Sequence, residues 1–322
     1  MDTISLSYFL ELTKDLHFTN TAERLFISQQ TLSNHIHRLE EELNTTLIER
    51  HPKRSLTTSG LLLQQFATEI LKANDNLAVM IEDINDESRG IINFGAPNLR
   101  MNAFMPDVLT SFSKKYPNVQ VNLHENISKQ LIASLDSGSL DLALVVSGQD
   151  TSVSEEHVFH DQVYYCIRSS LLKNYFENDS DDIINQSLFG INLKLFEDIP
   201  VCALSNQIGA EINNIYCDLD ISPTTYITSS SLQTCASIGL KGQAAFFTTK
   251  TSLSLQKDKD IDDDDPVYIF PIYYKNSPLS QAMSLVTPHG KYQPSYLLYF
   301  KDILKQHIQS LDYAPFIGQI KK

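Results

Sequence analysis

The segment from Ser28 to His37 carries polar side chains whose hydrogen-bonding groups match the edges of nucleic-acid bases. Glutamine and asparagine can form two hydrogen bonds to adenine, and serine can bond several base edges. These side chains are Gln29, Gln30, Ser33, Asn34 and His37. A polar face is also what any amphipathic helix presents to water, so the pattern alone leaves base reading and simple solvation both open.

Three helices are predicted to position this polar face. The apolar face of the first, over residues 4–14, consists of Ile4, Tyr8, Phe9 and Leu12. Thr19 is the predicted N-cap of a second helix, in which Ala22 and Leu25 face inward. After a turn at Ile27, Ser28 caps a third helix that runs to about Asn44, with an apolar stripe of Leu32, Ile36, Leu39 and Leu43. Two short helices joined by a tight turn form a helix-turn-helix.

Residues 47–57 favour two short strands around a basic turn. Arg50, Lys53 and Arg54 would then lie against the DNA backbone as a wing. Phosphate contacts of this kind position a recognition helix, while base contacts specify the sequence. The wing therefore moves the balance between the two interpretations toward DNA binding.

The net charge of −14 argues against a general affinity for DNA phosphates. Residues 1–60 hold six Lys and Arg against eight Asp and Glu, a balance of −2. Acidic runs near residues 179–182 and 258–265 are typical of solvated loops. Any affinity for DNA must therefore come from a local face and from dimerisation.

Composition and motifs narrow the class of protein further. No apolar stretch is long enough to cross a bilayer, and Met1-Asp2-Thr3 lacks the features of a secretory signal, so we expect a cytoplasmic protein with no membrane contact. The four cysteines have no CxxC spacing and are interpreted as buried thiols rather than a redox switch. His157 and His160 have no accompanying ligand cluster, so we predict no metal and no other cofactor.

The N-terminal motifs resemble the signature of LysR-type transcriptional regulators. In chain order they are Phe18-Thr19, Ala22-Glu23-Arg24-Leu25, Ile27-Ser28-Gln29, Thr31-Leu32-Ser33, Ile36, Arg38-Leu39-Glu40, Leu43, Leu47, Glu49-Arg50, Leu56-Thr57 and Gly60. Gln30, Asn34 and Ile48 depart from the usual pattern, and the first two affect the operator sequence rather than the fold. The candidate DNA contacts are Thr19, Ser28, Gln29, Gln30, Thr31, Ser33, Asn34, His37, Arg38, Arg50, Lys53, Arg54 and Thr57.

A long helix is predicted from Ser59 to about Glu87. Its apolar residues alternate at spacings of three and four, as in the seam of a coiled coil. They are Leu63, Phe66, Ile70, Ala73, Leu77, Met80 and Ile84. Packing against its own domain is the alternative; the resemblance implies that this helix pairs antiparallel with its twin. A dimer would bring two recognition helices to one operator with dyad symmetry.

After Arg89-Gly90 the pattern alternates between strands and helices, which predicts a mostly parallel α/β sheet. A second α/β block runs from Cys166 to Phe270, and the chain then returns to the first block through residues 284–287 and a last helix from Tyr296 to about Ser310. A chain that passes twice between two α/β lobes leaves a cleft where it crosses. Such folds bind ligands outside the carboxyl ends of their strands.

This part of the chain resembles the two-lobed, periplasmic-binding-protein-like effector domain of LysR-type regulators. The resemblance rests on Phe112, Tyr116-Pro117, the stretch from Gly138 to Leu144, and Gly239-Leu240-Lys241-Gly242. It implies effector contacts at Pro97, Asn98, Leu99, Arg100, Ser147, Leu204, Ser205, Asn206, Thr228, Ser229 and Ser230. Pro97 and Leu99 stand where the family often has hydroxyl side chains; Arg100 would supply a charge to the ligand, or else lie on the helix surface.

The predicted organisation is a winged helix-turn-helix at 1–58, a dimerisation helix at 59–89 and an effector-binding domain at 90–322. Lobe I comprises about 90–165 and 271–312, and lobe II about 166–270. The resemblance implies a regulator that binds operator DNA and an unidentified small-molecule effector, dimerises and assembles into tetramers; contact with RNA polymerase stays open. Two alternatives remain: a ligand-independent regulator of the same fold, and an enzyme or solute receptor with an accessory DNA module, although we find no phosphate loop, metal cluster or GxSxG elbow.

Overall fold

The computed structural model describes residues 1–49, 54–84, 89–148, 153–255, 264–310 and 318–320. The chain divides into two compact units, one formed by Met1–Glu87 with Gly290–Ser295 and the other by Ser88–His289 with Tyr296–Lys322. Within the described ranges, no helix is long and apolar enough to cross a membrane.

The first unit consists of helices and a small β-ribbon. Its elements are α1 (Thr3–Thr13), α2 (Phe18–Arg24), α3 (Gln29–Glu42), β1 (Ile48–Glu49), β2 (Ser55–Leu56) and α4 (Thr58–Ile84). Strands β1 and β2 pair antiparallel, so the predicted winged helix-turn-helix and the long helix after it are both confirmed. The turn between the strands, residues 50–53, lies outside the described residues.

Side-chain caps set where the helices of the reading motif begin. Ser28 Oγ accepts a hydrogen bond from Thr31 N at 3.0 Å, which confirms the predicted cap of α3. The prediction of Thr19 as the cap of α2 is wrong. That cap is His17, whose Nδ1 accepts from Asn20 N at 3.3 Å, so α2 begins earlier and Thr19 lies in its first turn.

The core of the first unit is formed by one face of each helix together with the ribbon. Ile4 and Leu43, predicted to be part of it, are 56% and 41% exposed, because α1 turns Leu6 inward instead and α3 has ended before Leu43. The buried set is Leu6, Phe9, Leu12, Phe18, Ala22, Leu32, Ile36, Leu39, Leu47, Ile48, Leu63 and Ala67.

The second unit is a two-lobed α/β structure. Lobe I contains β3 (Arg89–Ala96), α5 (Asn98–Lys115), β4 (Asn118–Glu125), α6 (Ser128–Asp136) and β5 (Leu142–Val146). The long strand β6 (Val153–Arg168) leads to lobe II, which contains α7 (Ser169–Phe176), α8 (Ser180–Ser187), β7 (Val201–Leu204), α9 (Gln207–Asp218), β8 (Thr225–Ser229), α10 (Leu232–Gly239), β9 (Ala245–Thr249), α11 (Lys250–Ser254) and β10 (Val267–Pro271). A hairpin of β11 (Tyr273–Tyr274) and β12 (Ser277–Pro278), the long strand β13 (Ser280–Pro288), α12 (Ser295–Ser310) and β14 (Gly318–Ile320) complete the chain.

The strands form one mixed sheet in the order β4-β3-β5-β13-β6-β9-β7-β8, to which β10 and β14 are added through β6. Pairing is parallel among β4, β3 and β5 and among β9, β7 and β8. It is antiparallel wherever β6 or β13 takes part. The prediction of a mostly parallel sheet is therefore correct within each lobe and wrong where the lobes join. The two strands that cross between the lobes, β6 and β13, run in opposite directions.

The register of these strands makes the carboxyl ends of the two parallel sets point toward each other. Val146, the last residue of β5, pairs with Met283, which pairs with Phe159 of β6. Thr249, the last residue of β9, pairs with Val163. Strand β5 runs in the direction of β6 and β9 runs against it, so the two sets meet at this crossing. Phe159 and Val163 are about 13 Å apart along an extended strand, and the two sets of strand ends face each other across this stretch of β6.

Candidate functional site

The surface of α3 carries the predicted base-reading side chains. Gln29, Gln30, Asn34 and His37 are exposed, and Ser33 is half-buried. The opposite side of the helix is buried in the core through Leu32, Ile36 and Leu39. A helix with one face anchored in this way presents its polar side chains in fixed directions, which reading base edges requires.

Charged side chains of α2 and α3 tie these helices to neighbouring elements. Arg24 at the end of α2 donates to Asp15 Oδ2 at 2.6 Å and to Glu11 Oε1 at 2.9 Å, which ties α2 to α1. The Arg24 hydrogen bond lowers the pKa of the Asp15 carboxyl well below its usual range. On α3, Glu40 accepts from the backbone N–H of Leu47 at 2.8 Å and so ties the recognition helix to the ribbon.

The remaining predicted DNA contacts differ in how free their side chains are. Arg54 is exposed, with its guanidinium 5.6 Å from the Phe18 ring centroid. Arg38 is 61% exposed and forms an ion pair with Glu42. Thr57 is less free than predicted, because its hydroxyl donates to Thr46 O at 2.7 Å and accepts from Gly60 N. Arg50 and Lys53 lie outside the described residues.

The long helix α4 has two apolar faces. Leu63 and Ala67 are buried in the core of the first unit, with Leu71 packed against it. Placing Leu63 in the dimer seam is therefore wrong, since it packs on its own domain. A second face leaves six large apolar side chains at least one-third exposed: Leu62, Phe66, Ile70, Leu77, Met80 and Ile81. Ile84, the last predicted seam position, lies outside the described side chains.

Polar groups at the ends of β7 and β8 form a connected cluster in lobe II. Ser205 N donates to Ser229 O at 3.0 Å, and the Asn206 amide donates to Ser230 O at 3.0 Å. Asn206 also caps α9 by accepting from Gly209 N. An added Cβ at Gly209 would lie 1.8 Å from the carbonyl oxygen of the last β7 residue, so α9 can begin this close to the strand only with glycine there. Of the predicted effector residues in lobe II, Ser205, Thr228 and Ser230 are exposed.

In lobe I the predicted effector residues fall into separate groups. Ser147, after β5, shares a 2.6 Å hydrogen bond with Ser284 of β13. Asn98 is exposed and donates to Glu125 Oε2 at 2.7 Å. Pro97 precedes α5 without a side-chain cap. Leu99, like Leu204 of lobe II, is buried in the lobe II hydrophobic core, so it acts as a packing residue.

Arg100 is the clearest correction to the predicted site. It lies neither on the helix surface nor free to face a ligand, because it is 5% exposed and bonded to a fully buried carboxylate. Its Nη2 donates to Asp161 Oδ2 at 2.7 Å and to Gln281 Oε1 at 3.1 Å. Asp161 Oδ1 also accepts from Thr251 N at 2.9 Å. One carboxylate on the crossing strand β6 therefore joins the first helix of lobe I to α11 of lobe II.

Asp161 and Gln281 were not among the residues predicted from the sequence. Asp161 lies just before the apolar stretch from Val163 to Ile167 in β6, and a carboxylate beside such a stretch is the signal that could have pointed to a buried pair. A cavity of about 330 Å³ also opens at the carboxyl end of β4. Its lining is Leu123, His124, Glu125, Asn126, Leu131, Ser134, Ser139 and Leu140.

Comparison with known protein families matches both halves of the chain. Residues 4–61 match the bacterial regulatory helix-turn-helix proteins of the lysR family. Residues 85–182 match the LysR substrate binding domain. The two matches follow each other along the chain in the order that the sequence predicted.

One curated relative extends the similarity over nearly the whole chain, and another matches less than half of it. A hydrogen peroxide-inducible genes activator of Pectobacterium carotovorum subsp. carotovorum is 25% identical over 311 residues, which cover 96% of this chain and 97% of the relative. The HTH-type transcriptional regulator CysB of Haemophilus influenzae is 30% identical over 142 residues, or 43% of this chain and 44% of the relative.

Solved structures of full-length regulators share the fold. A full-length OxyR variant from Pseudomonas aeruginosa has a TM-score of 0.58 at 18% identity and covers 96% of this chain and 98% of its own. Full-length BenM has a TM-score of 0.52 at 17% identity and covers 98% of this chain and 99% of its own. Motifs, fold and family matches agree: the chain belongs to the LysR-type family of DNA-binding transcriptional regulators.

Proposed function

We propose that this regulator binds a dyad-symmetric operator as a dimer in the cytoplasm, with α3 in the major groove and the ribbon against the backbone. The observation that carries the proposal is the capped helix α3, whose polar face is exposed while its apolar face is fixed in the core. We assign DNA binding to residues 1–58, dimerisation to 59–89 and effector binding to 90–322.

Base contacts and phosphate contacts should be separable by mutation. Gln29→Ala should weaken binding by roughly 1 to 3 kcal/mol at particular base pairs, because an exposed amide reads one base edge. Arg54→Ala should weaken binding to every duplex alike and reduce the dependence of affinity on salt, because it removes a phosphate contact. Fluorescence anisotropy with a panel of single-base variants, repeated at several salt concentrations, measures both effects. Equal losses on all duplexes for both variants would contradict this division.

We further propose that a small molecule binds between the lobes and changes the arrangement of the DNA-binding units. Support comes from the strand register, in which the carboxyl ends of the two parallel sets meet at the crossing. It also comes from the polar cluster of Ser205, Asn206 and Ser229 at two of these ends. A ligand shifts such an equilibrium only by its different affinity for the two arrangements. About 1.4 kcal/mol of preference is enough for a tenfold change in output.

Leucine side chains placed in this polar cluster should block the response without touching DNA binding. The Ser205→Leu/Ser229→Leu variant should show no metabolite-dependent rise in melting temperature and no reporter response. The two leucine side chains would fill the site, and the two serine hydroxyls that could bond the ligand would be gone. Operator affinity should be unchanged. The matched control is Ser222→Leu/Ser277→Leu, at two exposed serines outside the cluster. A full response from the Ser205/Ser229 variant would overturn the assignment, and a wild-type protein that no metabolite stabilises would favour a ligand-independent regulator.

A further inference from the structure

Phe26 lies in the turn between α2 and α3 with its side chain 96% exposed. Its backbone has φ 55°, in the left-handed region that helix ends normally fill with glycine or asparagine. An aromatic residue in that region is strained, and a side chain that stays in water gains no burial in return. Neither the turn nor the core of this unit therefore benefits from phenylalanine at this position.

The turn is held by its backbone. Phe26 N donates to Glu23 O at 3.1 Å, and Ile27 N donates to Ala22 O at 3.0 Å, the two hydrogen bonds of a Schellman motif. Asparagine or glycine could form the same hydrogen bonds with less strain. The phenyl ring is therefore explained by contact with a partner molecule rather than by packing within this unit.

The residues that follow Phe26 indicate what this partner is. Ser28, the N-cap of α3, is two residues away, and two residues span at most about 7 Å. Ser28, Gln29, Gln30 and Thr31 are all exposed and polar, so the ring is a single apolar group at the edge of a base-reading surface. A protein-binding surface would instead surround its central aromatic with further apolar area.

We infer that the Phe26 ring contacts the C5-methyl group of a thymine in the major groove, beside the bases read by α3. This inference rests on the proposed placement of α3 in DNA. The thymine methyl is the apolar group that the major groove presents, and phenylalanine is among the side chains that contact it. Phe26 would therefore be a specificity-determining residue that adds a requirement for T at one position of each half-site.

The test compares thymine with uracil, which pairs identically but lacks the methyl group. The probe is a duplex selected by the full-length wild-type protein from a randomised pool, with each T replaced singly by dU. For the wild type, one replacement in each half-site should weaken binding about fivefold. Phe26→Asn should bind the unmodified duplex about fivefold more weakly and should not respond to that replacement. A Phe26→Asn variant that keeps the wild-type affinity, or that responds to the same dU as the wild type, would overturn the inference.

Two controls separate a lost DNA contact from a damaged fold. Hydrogen–deuterium exchange across residues 18–42 of full-length Phe26→Asn should be equal to or slower than that of the wild type, because strain is relieved. Faster exchange there would mean that the ring stabilises the protein itself and would contradict the inference. Ile4→Asn, at another exposed apolar residue, should keep the wild-type response to dU. Failure of the wild type to select any duplex would overturn the proposed function and this inference with it.

Discussion

Asp161→Asn is expected to lower the melting temperature of the effector-binding half by about 10 °C. The substitution keeps the size of the side chain and an oxygen that can accept from Thr251 N, but it removes the charge opposite Arg100. The guanidinium is then left without its counter-ion at a site where both partners of the pair are almost fully buried. Breaking a buried ion pair from one side costs about 3–5 kcal/mol, and each kcal/mol shifts the melting temperature of a domain of this size by roughly 2–4 °C.

Removing both charges should restore most of the melting temperature that Asp161→Asn loses. Arg100→Met/Asp161→Asn leaves no buried charge, and neutral replacement of a buried pair is often close to neutral for stability. Arg38→Met is the surface control, because Arg38 is 61% exposed and water screens its ion pair with Glu42, so its melting temperature should stay close to that of the wild type. Differential scanning calorimetry of the wild type, Arg100→Met, Asp161→Asn and the double variant completes the cycle. If the double variant loses the sum of the two single losses, the residues act independently and the pair does not hold the lobes together.

The DNA-binding half could be predicted almost element by element because its signals are local. Each helix is specified by apolar residues three or four positions apart, and the Ser28 cap lies three residues from the group it bonds. The error at Thr19 has the same origin. His17 and Thr19 are both able to cap a helix, and the choice depends on the turn before α2, where Leu16 adopts a positive φ of 54°.

The effector-binding half was predictable in its strands and helices but not in their pairing. Strand direction depends on partners far apart in sequence, as in the pairing of Asp161 with Gln281 across the two crossing strands. Arg100 shows the same limit at the level of one side chain. Its position in an amphipathic helix gave no sign of burial, because the carboxylate that neutralises it lies 61 residues further on. The residues of the Ser205 to Ser230 cluster, in contrast, were named from the family resemblance, and hydrogen bonds join them at the ends of β7 and β8.

Charged residues on the exposed face of α4 should separate the protein into monomers that no longer bind the operator. Ile70 and Leu77 are 36% and 56% exposed in the isolated chain, although they follow the buried Leu63 at intervals of seven residues. An apolar stripe of this length on a helix of 27 residues is typical of a helix–helix interface. Ile70→Glu/Leu77→Glu would place four buried carboxylates in such an interface, which is strongly unfavourable.

Loss of operator binding follows from loss of the dimer, because a single recognition helix loses the second half-site. Two linked half-sites gain affinity of roughly 10²- to 10⁴-fold over one, and the net charge of −14 offers no general attraction to DNA that could replace it. Sedimentation velocity at low micromolar concentration measures the oligomer, and anisotropy with a dyad-symmetric duplex measures binding. The control, Gln65→Glu/Thr68→Glu, adds the same charge at exposed polar positions off the stripe and should leave the dimer intact. Dimers that survive Ile70→Glu/Leu77→Glu would show that the chains associate through another surface, and the exposed stripe of α4 would need a different partner.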